Sequence, residues 1–108
     1  MSYTVWMIID TGGKKPISIV DSINYTSNVS GMWEKALGFS LRELNGKLGL
    51  ECIKSLTKAV KHMKENPSIY KPMNPSNRWG CYTNAMQFLR DILKWCRNNP
   101  KATLKMWY

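Results

Sequence analysis

Two polar segments studded with aromatic rings carry most of the candidate chemistry of this chain. They are Asn24-Tyr25-Thr26-Ser27-Asn28-Val29-Ser30-Gly31-Met32-Trp33 and Asn74-Pro75-Ser76-Asn77-Arg78-Trp79-Gly80-Cys81-Tyr82. Tyr25, Trp33, Trp79 and Tyr82 offer flat faces, and stacking of a base on such a ring is worth about 1–3 kcal/mol. Asn24, Asn28, Asn74 and Asn77 present paired donors and acceptors for base edges or sugar hydroxyls. Thr26 and Ser27 add hydroxyls, and the Arg78 guanidinium can fork onto a phosphate. A helix starting after Trp79 would supply unpaired backbone N–H groups that favour an anion. A plainer reading competes. Asn and Ser ahead of a helix are caps, Pro-Ser-Asn is a turn, and Trp33 can plug a core. The recurrence of the same ingredients in two segments favours a binding site.

The same residues give little support to catalysis. His62 is the only histidine and lies near Lys58 and Lys61 on a helix. No Ser/His/Asp or Cys/His set can be assembled. The seven carboxylates are scattered. Gly12-Gly13-Lys14-Lys15 echoes a phosphate loop but precedes a strand rather than a helix. Cys81, at a helix N-terminus, is the one candidate nucleophile. Asn, Ser and Thr are poor ligands for anything but hard cations, so neither a metal nor a cofactor is expected.

Composition narrows the partners. With 108 residues, 44 % of them hydrophobic, the chain is expected to form a single domain over residues 1–108. No apolar run approaches the roughly 18 residues of a membrane span. Val5-Trp6-Met7-Ile8-Ile9 is too short for a signal-peptide core, so a cytoplasmic location is expected. Cys52, Cys81 and Cys96 give no complete disulfide framework. A net charge of +9 points to an anionic partner. Part of that excess is solvation, because Lys54, Lys58 and Lys61 recur at helical spacing opposite an apolar stripe.

These groups need a frame. Tyr3 to Ile9 reads as a strand, Asp10 to Lys15 as a turn, and Ile17 to Ile23 as the second arm of a hairpin. A short helix through Met32, Trp33, Ala36 and Leu37 should stop at Gly38. Ser40-Leu41-Arg42-Glu43 opens a short turn that ends at Asn45-Gly46. Cys52, Ile53, Leu56, Ala59, Val60 and Met63 predict a long helix from Lys47 to Glu65, ended by Asn66-Pro67. Ser68 to Arg78 reads as an irregular loop. Tyr82, Ala85, Met86, Leu89, Ile92, Leu93 and Cys96 predict a second long helix over 81–98. Ala102 to Tyr108 alternates as a strand able to join the hairpin. The expected class is α+β: a small antiparallel sheet, formed by an N-terminal hairpin and a C-terminal strand, packed against two long helices and one or two short ones.

Tyr25-Thr26-Ser27-Asn28 followed by Met32, and Asn74 to Tyr82 followed by a helix and Asn99-Pro100, resemble a family of small, largely uncharacterised proteins encoded by bacteriophages and prophages. The resemblance spans residues 22–108. Family members often carry histidine at the position of Ser27, glycine at Arg78 and serine at Cys81; the first departure removes a general base. The resemblance implies a phage accessory protein in the host cytoplasm. By analogy, it would counter host defence by sequestering a small anionic nucleotide such as an immune second messenger, without turnover. The alternative is a basic interaction protein that binds nucleic acid or a host defence complex as an inhibitor. A homo-oligomer is expected, with Trp95 and Trp107 suited to an interface.

Overall fold

The computed structural model describes residues 1–10, 12–13 and 15–108. Thr11 and Lys14, within the turn expected over Asp10–Lys15, lie outside the described residues. The α+β expectation holds: a four-stranded antiparallel sheet packs against the helices.

The central strand is β1 (Ser2–Ile9), which alternates strictly and turns Tyr3, Val5 and Met7 into the core. It pairs with all three other strands, β2 (Ile17–Ser18), β3 (Ile23–Thr26) and β4 (Thr103–Trp107). Ile8 faces both Ser18 and Thr103, while Val5 faces both Ile23 and Met106. Hence β4 holds one edge of β1, and β2 and β3 share the other. The second hairpin arm is therefore interrupted. Three steps along β1, from Ile8 to Val5, face five along its partner, from Ser18 to Ile23. The extra chain leaves Ile19 and Val20 against the core as a bulge.

The expected strand over Ile17–Ile23 thus shrinks to two residues, and pairing resumes in the first polar segment. The outer edge of β4 is closed by residues 45–47, which follow a 3₁₀ turn at Leu41–Leu44. Gly46 N donates to Leu104 O at 2.8 Å, Leu104 N to Lys47 O at 2.8 Å, and Met106 N to Asn45 Oδ1 at 3.0 Å. Three outward backbone groups of β4 that could recruit another strand are thereby occupied.

Four helices follow among the described residues: α1 (Ser30–Leu37), α2 (Gly49–Glu65), α3 (Pro67–Tyr70) and α4 (Tyr82–Asn98), with short 3₁₀ turns at Ser27–Val29, Leu41–Leu44 and Lys71–Met73. Gly38 ends α1 with φ 85°, a left-handed cap that suits glycine. Glu51 accepts from Leu48 N at 2.9 Å and ties off the start of α2. The first part of the irregular loop expected over Ser68–Arg78 is instead helical, as α3 and the 3₁₀ turn Lys71–Met73, because Pro67 fits the first position of a new helix as well as it ends the old one.

The long helices α2 and α4 run antiparallel and make the main helix–helix contact. At one end a Cβ on Gly49 would lie 2.6 Å from Asn99 O and 3.1 Å from Cys96 O, so glycine allows the backbones to touch. At the other end the Tyr82 hydroxyl donates to Met63 O. Between them Cys52 and Cys96 meet in the core. The hydrogen bond between their thiols holds Cys52 below its usual value, and that bond together with burial pushes Cys96 far above. No helix among the described residues is long and apolar enough to cross a membrane.

Candidate functional site

The two polar segments do come together, but chiefly to build the fold. Tyr25 is the inward partner of Tyr3 across the β1–β3 pair, and its hydroxyl accepts from Cys81 N at 2.9 Å. Burial raises the Tyr25 hydroxyl above the ordinary value of 10.0. Gly80 sits against the same place at φ 102°, where an added Cβ would be 2.6 Å from Thr26 Cγ2 and 2.8 Å from Val29 Cγ1. The second segment is thus clamped onto the first, with Tyr25 as the post.

Most of the amides and hydroxyls serve locally. Asn24 Nδ2 donates to Ser2 Oγ at 2.9 Å and Thr4 Oγ1 at 2.8 Å, pinning β3 to β1 on the outer sheet face. Thr26 Oγ1 accepts from Asn28 N at 3.3 Å and caps the 3₁₀ turn. Ser27 is half-buried, and its N–H donates to Met1 O at 3.2 Å. Asn74 Oδ1 accepts from Tyr82 N at 2.8 Å, which occupies the first free donor of α4. Asn77 Oδ1 accepts from Trp79 N at 3.0 Å.

Two of the expected stacking faces are unavailable. Trp33 is 0 % exposed, stacked on Phe88 at 5.0 Å and edge-on to Tyr3 at 5.3 Å, with its indole N–H donating to Ala85 O at 3.0 Å. Tyr82 is buried against Tyr70, with ring centroids 6.1 Å apart. Both rings are core, because each continues the apolar stripe of its helix. Trp79 is different: it is 69 % exposed and follows Arg78, which holds φ 63°. Asn28, Asn77, Arg78 and Trp79 therefore remain as an exposed knuckle rather than a pocket. Beside the first segment, a cleft of about 310 Å³ is lined by Ile23, Asn24, Tyr25, Asn84, Gln87, Phe88 and Asp91. Its charge is acidic, which does not suit the expected anion.

A larger concavity lies elsewhere. Between α2 and α4 runs a groove of about 630 Å³, within the 300–1,000 Å³ common for ligand sites. Lys61 and Lys64 stand on its α2 bank, and Arg90, Lys94 and Arg97 on its α4 bank. Val60 and Leu93 form an apolar floor, and Glu65 is the one carboxylate in the lining. Arg97 Nη2 donates to Thr57 Oγ1 at 3.2 Å, which steadies that guanidinium across one end. Among the described residues none of the five cations is in an ion pair.

The chain matches no protein-family model, no curated protein and no solved structure.

The groove lies outside both polar segments, although the sequence carries a signal for it. Arg90, Lys94 and Arg97 recur at i, i+4 and i+7 on one helical face. Of the lysine face expected at Lys54, Lys58 and Lys61, only Lys61 lines the groove; Lys54 and Lys58 are exposed outside it. Trp95, expected at an interface, is partly buried against the core, whereas Trp107 is 75 % exposed. His62, on the exposed side of α2, lies 2.5 Å from the Tyr70 hydroxyl through Nδ1 and tethers α2 to α3. Among the described residues no three His, Cys, Asp or Glu side chains gather as a metal would require.

Proposed function

We propose that this protein is a non-catalytic binding protein that captures a small anionic, nucleotide-type ligand in the α2–α4 groove. The observation that carries the reading is five cations on facing banks of one concavity, none of them neutralised by a carboxylate. Like charges gathered on one concavity repel, weakly where salt screens them, and an anion between the banks turns that repulsion into attraction, so the arrangement suits a ligand better than it suits the free protein. The apolar floor gives the uncharged part of a nucleotide a surface to cover. The lining holds no histidine, cysteine or serine, and its single carboxylate, Glu65, has no second carboxylate beside it to make an acid–base pair, which favours capture over turnover.

This reading keeps the ligand class expected from sequence and moves its site away from the two polar segments. A phage accessory protein that sequesters a host signal, as the sequence resemblance implies, would use such a groove. The test is to incubate pure protein with a panel of nucleotide messengers, remove the unbound fraction, denature by heat and identify what is released. Intact ligand is expected in the released fraction, with capture abolished by Lys94→Glu and retained by Lys54→Glu. Capture that survives Lys94→Glu, or release of a hydrolysed product, would overturn the reading.

A further inference from the structure

We infer that the groove selects anions in which two or more phosphates are joined in line, so that a pyrophosphate-bearing nucleotide binds and a mononucleotide does not. This rests on the reading of the α2–α4 groove as the ligand site.

The cations are spread along the groove rather than gathered at one point. At a rise of about 1.5 Å per residue, Arg90 to Arg97 covers about 10 Å of helix, with Lys94 between them. The antiparallel partner brings Lys61 and Lys64 to the opposite bank. Positive charge is therefore arranged as a two-sided track along the groove and not as a single nest. One phosphate engages one stretch of that track and leaves the remaining cations repelling one another. A linear chain of phosphates runs along it and meets both banks.

The ends of the track differ. Arg97 Nη2 donates to Thr57 Oγ1 at 3.2 Å, an exposed bond that favours one placement of the guanidinium across that end before any ligand arrives. The opposite end carries Glu65 beside Lys64, where a carboxylate disfavours a terminal phosphate and can accept from a sugar hydroxyl. The phosphate chain is thereby directed toward Arg97 and the sugar toward Glu65. Val60 and Leu93 beneath the middle distinguish a nucleotide from a bare inorganic chain, because only the former covers apolar surface.

Titration calorimetry on the whole protein tests this with AMP, ADP, ATP, inorganic triphosphate and a short single-stranded oligonucleotide as probes. ADP and ATP are expected to bind at least about tenfold more tightly than AMP, since each further charge-assisted hydrogen bond is worth that factor or more. Arg97→Gln should erase most of the difference between ADP and AMP, whereas Lys54→Glu should leave it intact. Inorganic triphosphate should bind more weakly than ATP. Equal binding of AMP and ADP, both lost on Lys94→Glu, refutes the selection for joined phosphates and leaves the groove as an anion site. Binding of the probes that is insensitive to Lys94→Glu, or no binding at all, refutes the groove reading itself. An oligonucleotide that outcompetes ATP transfers the groove to nucleic acid and refutes both.

Discussion

Replacing Gly80 with alanine tests the clamp between the two polar segments. Gly80 combines a φ of 102° with a Cβ position 2.6 Å from Thr26 Cγ2 and 2.8 Å from Val29 Cγ1. The left-handed backbone alone costs an L-residue about 1–2 kcal/mol. The two methyl contacts lie well inside the 3.5–4.0 Å optimum for carbon pairs, and overpacking of this kind adds about 1–3 kcal/mol. Gly46 supplies the control, because its φ is 86° and nothing lies within 4 Å of its Cβ position. Gly46→Ala should therefore cost only the backbone part, about 1–2 kcal/mol. Gly80→Ala should cost about 2–5 kcal/mol, lowering the thermal midpoint of a domain this size by about 8–20 °C. Urea unfolding of both variants gives the difference directly, and hydrogen exchange at Cys81 N reports whether its bond to Tyr25 has opened. If Gly80→Ala is no less stable than Gly46→Ala, the two segments are not packed as described.

Asn74→Ala should destabilise the protein by about 0.5–2 kcal/mol, since it removes the acceptor for Tyr82 N at the start of α4; an unchanged urea midpoint would contradict the capping role. The hydroxyls of Tyr25 and Tyr70 are both raised by burial above the usual 10.0, so their contribution is fully present below that pH and is lost as pH rises through their folded-state values. Urea midpoints of the wild type should accordingly fall on the alkaline side, and a Tyr25→Phe/Tyr70→Phe variant should fall less steeply; parallel profiles would argue against the raised values. A bulky thiol reagent should modify only Cys81 in the folded protein and all three cysteines in denaturant, because Cys52 and Cys96 are fully buried; rapid native labelling of two or three would mean that α2 and α4 separate readily.

The long helices were legible because the apolar stripe repeats every 3.6 residues and Asn-Pro pairs stop it. Glycine at position 38 and the Asn45-Gly46 stop were equally local signals. The strand Ile23–Thr26 was not legible, since only Ile23 and Tyr25 face inward and Asn24 and Thr26 read as loop. What commits it is the pairing with Ser2–Val5, a long-range contact that no window along the chain contains. Trp33 and Tyr82 misled through their neighbours. Surrounded by amides, they resembled ligand-facing rings, yet their own helical positions placed them inward, and Tyr82 already belonged to the apolar stripe of its helix. The groove is legible only once α2 and α4 are known to lie antiparallel, because neither bank suffices alone. Each row of cations by itself is the ordinary solvated face of a helix.

Where the anion binds decides between the groove and the two polar segments. Titrating isotopically labelled protein with ADP while following amide and side-chain resonances places the ligand without presuming its site. The groove predicts the largest shifts at Lys61, Lys64, Arg90, Lys94 and Arg97, with Trp79 unmoved. Shifts concentrated at Asn28, Asn77, Arg78 and Trp79, with the α2 and α4 cations silent, would return the site to the two polar segments and contradict the account.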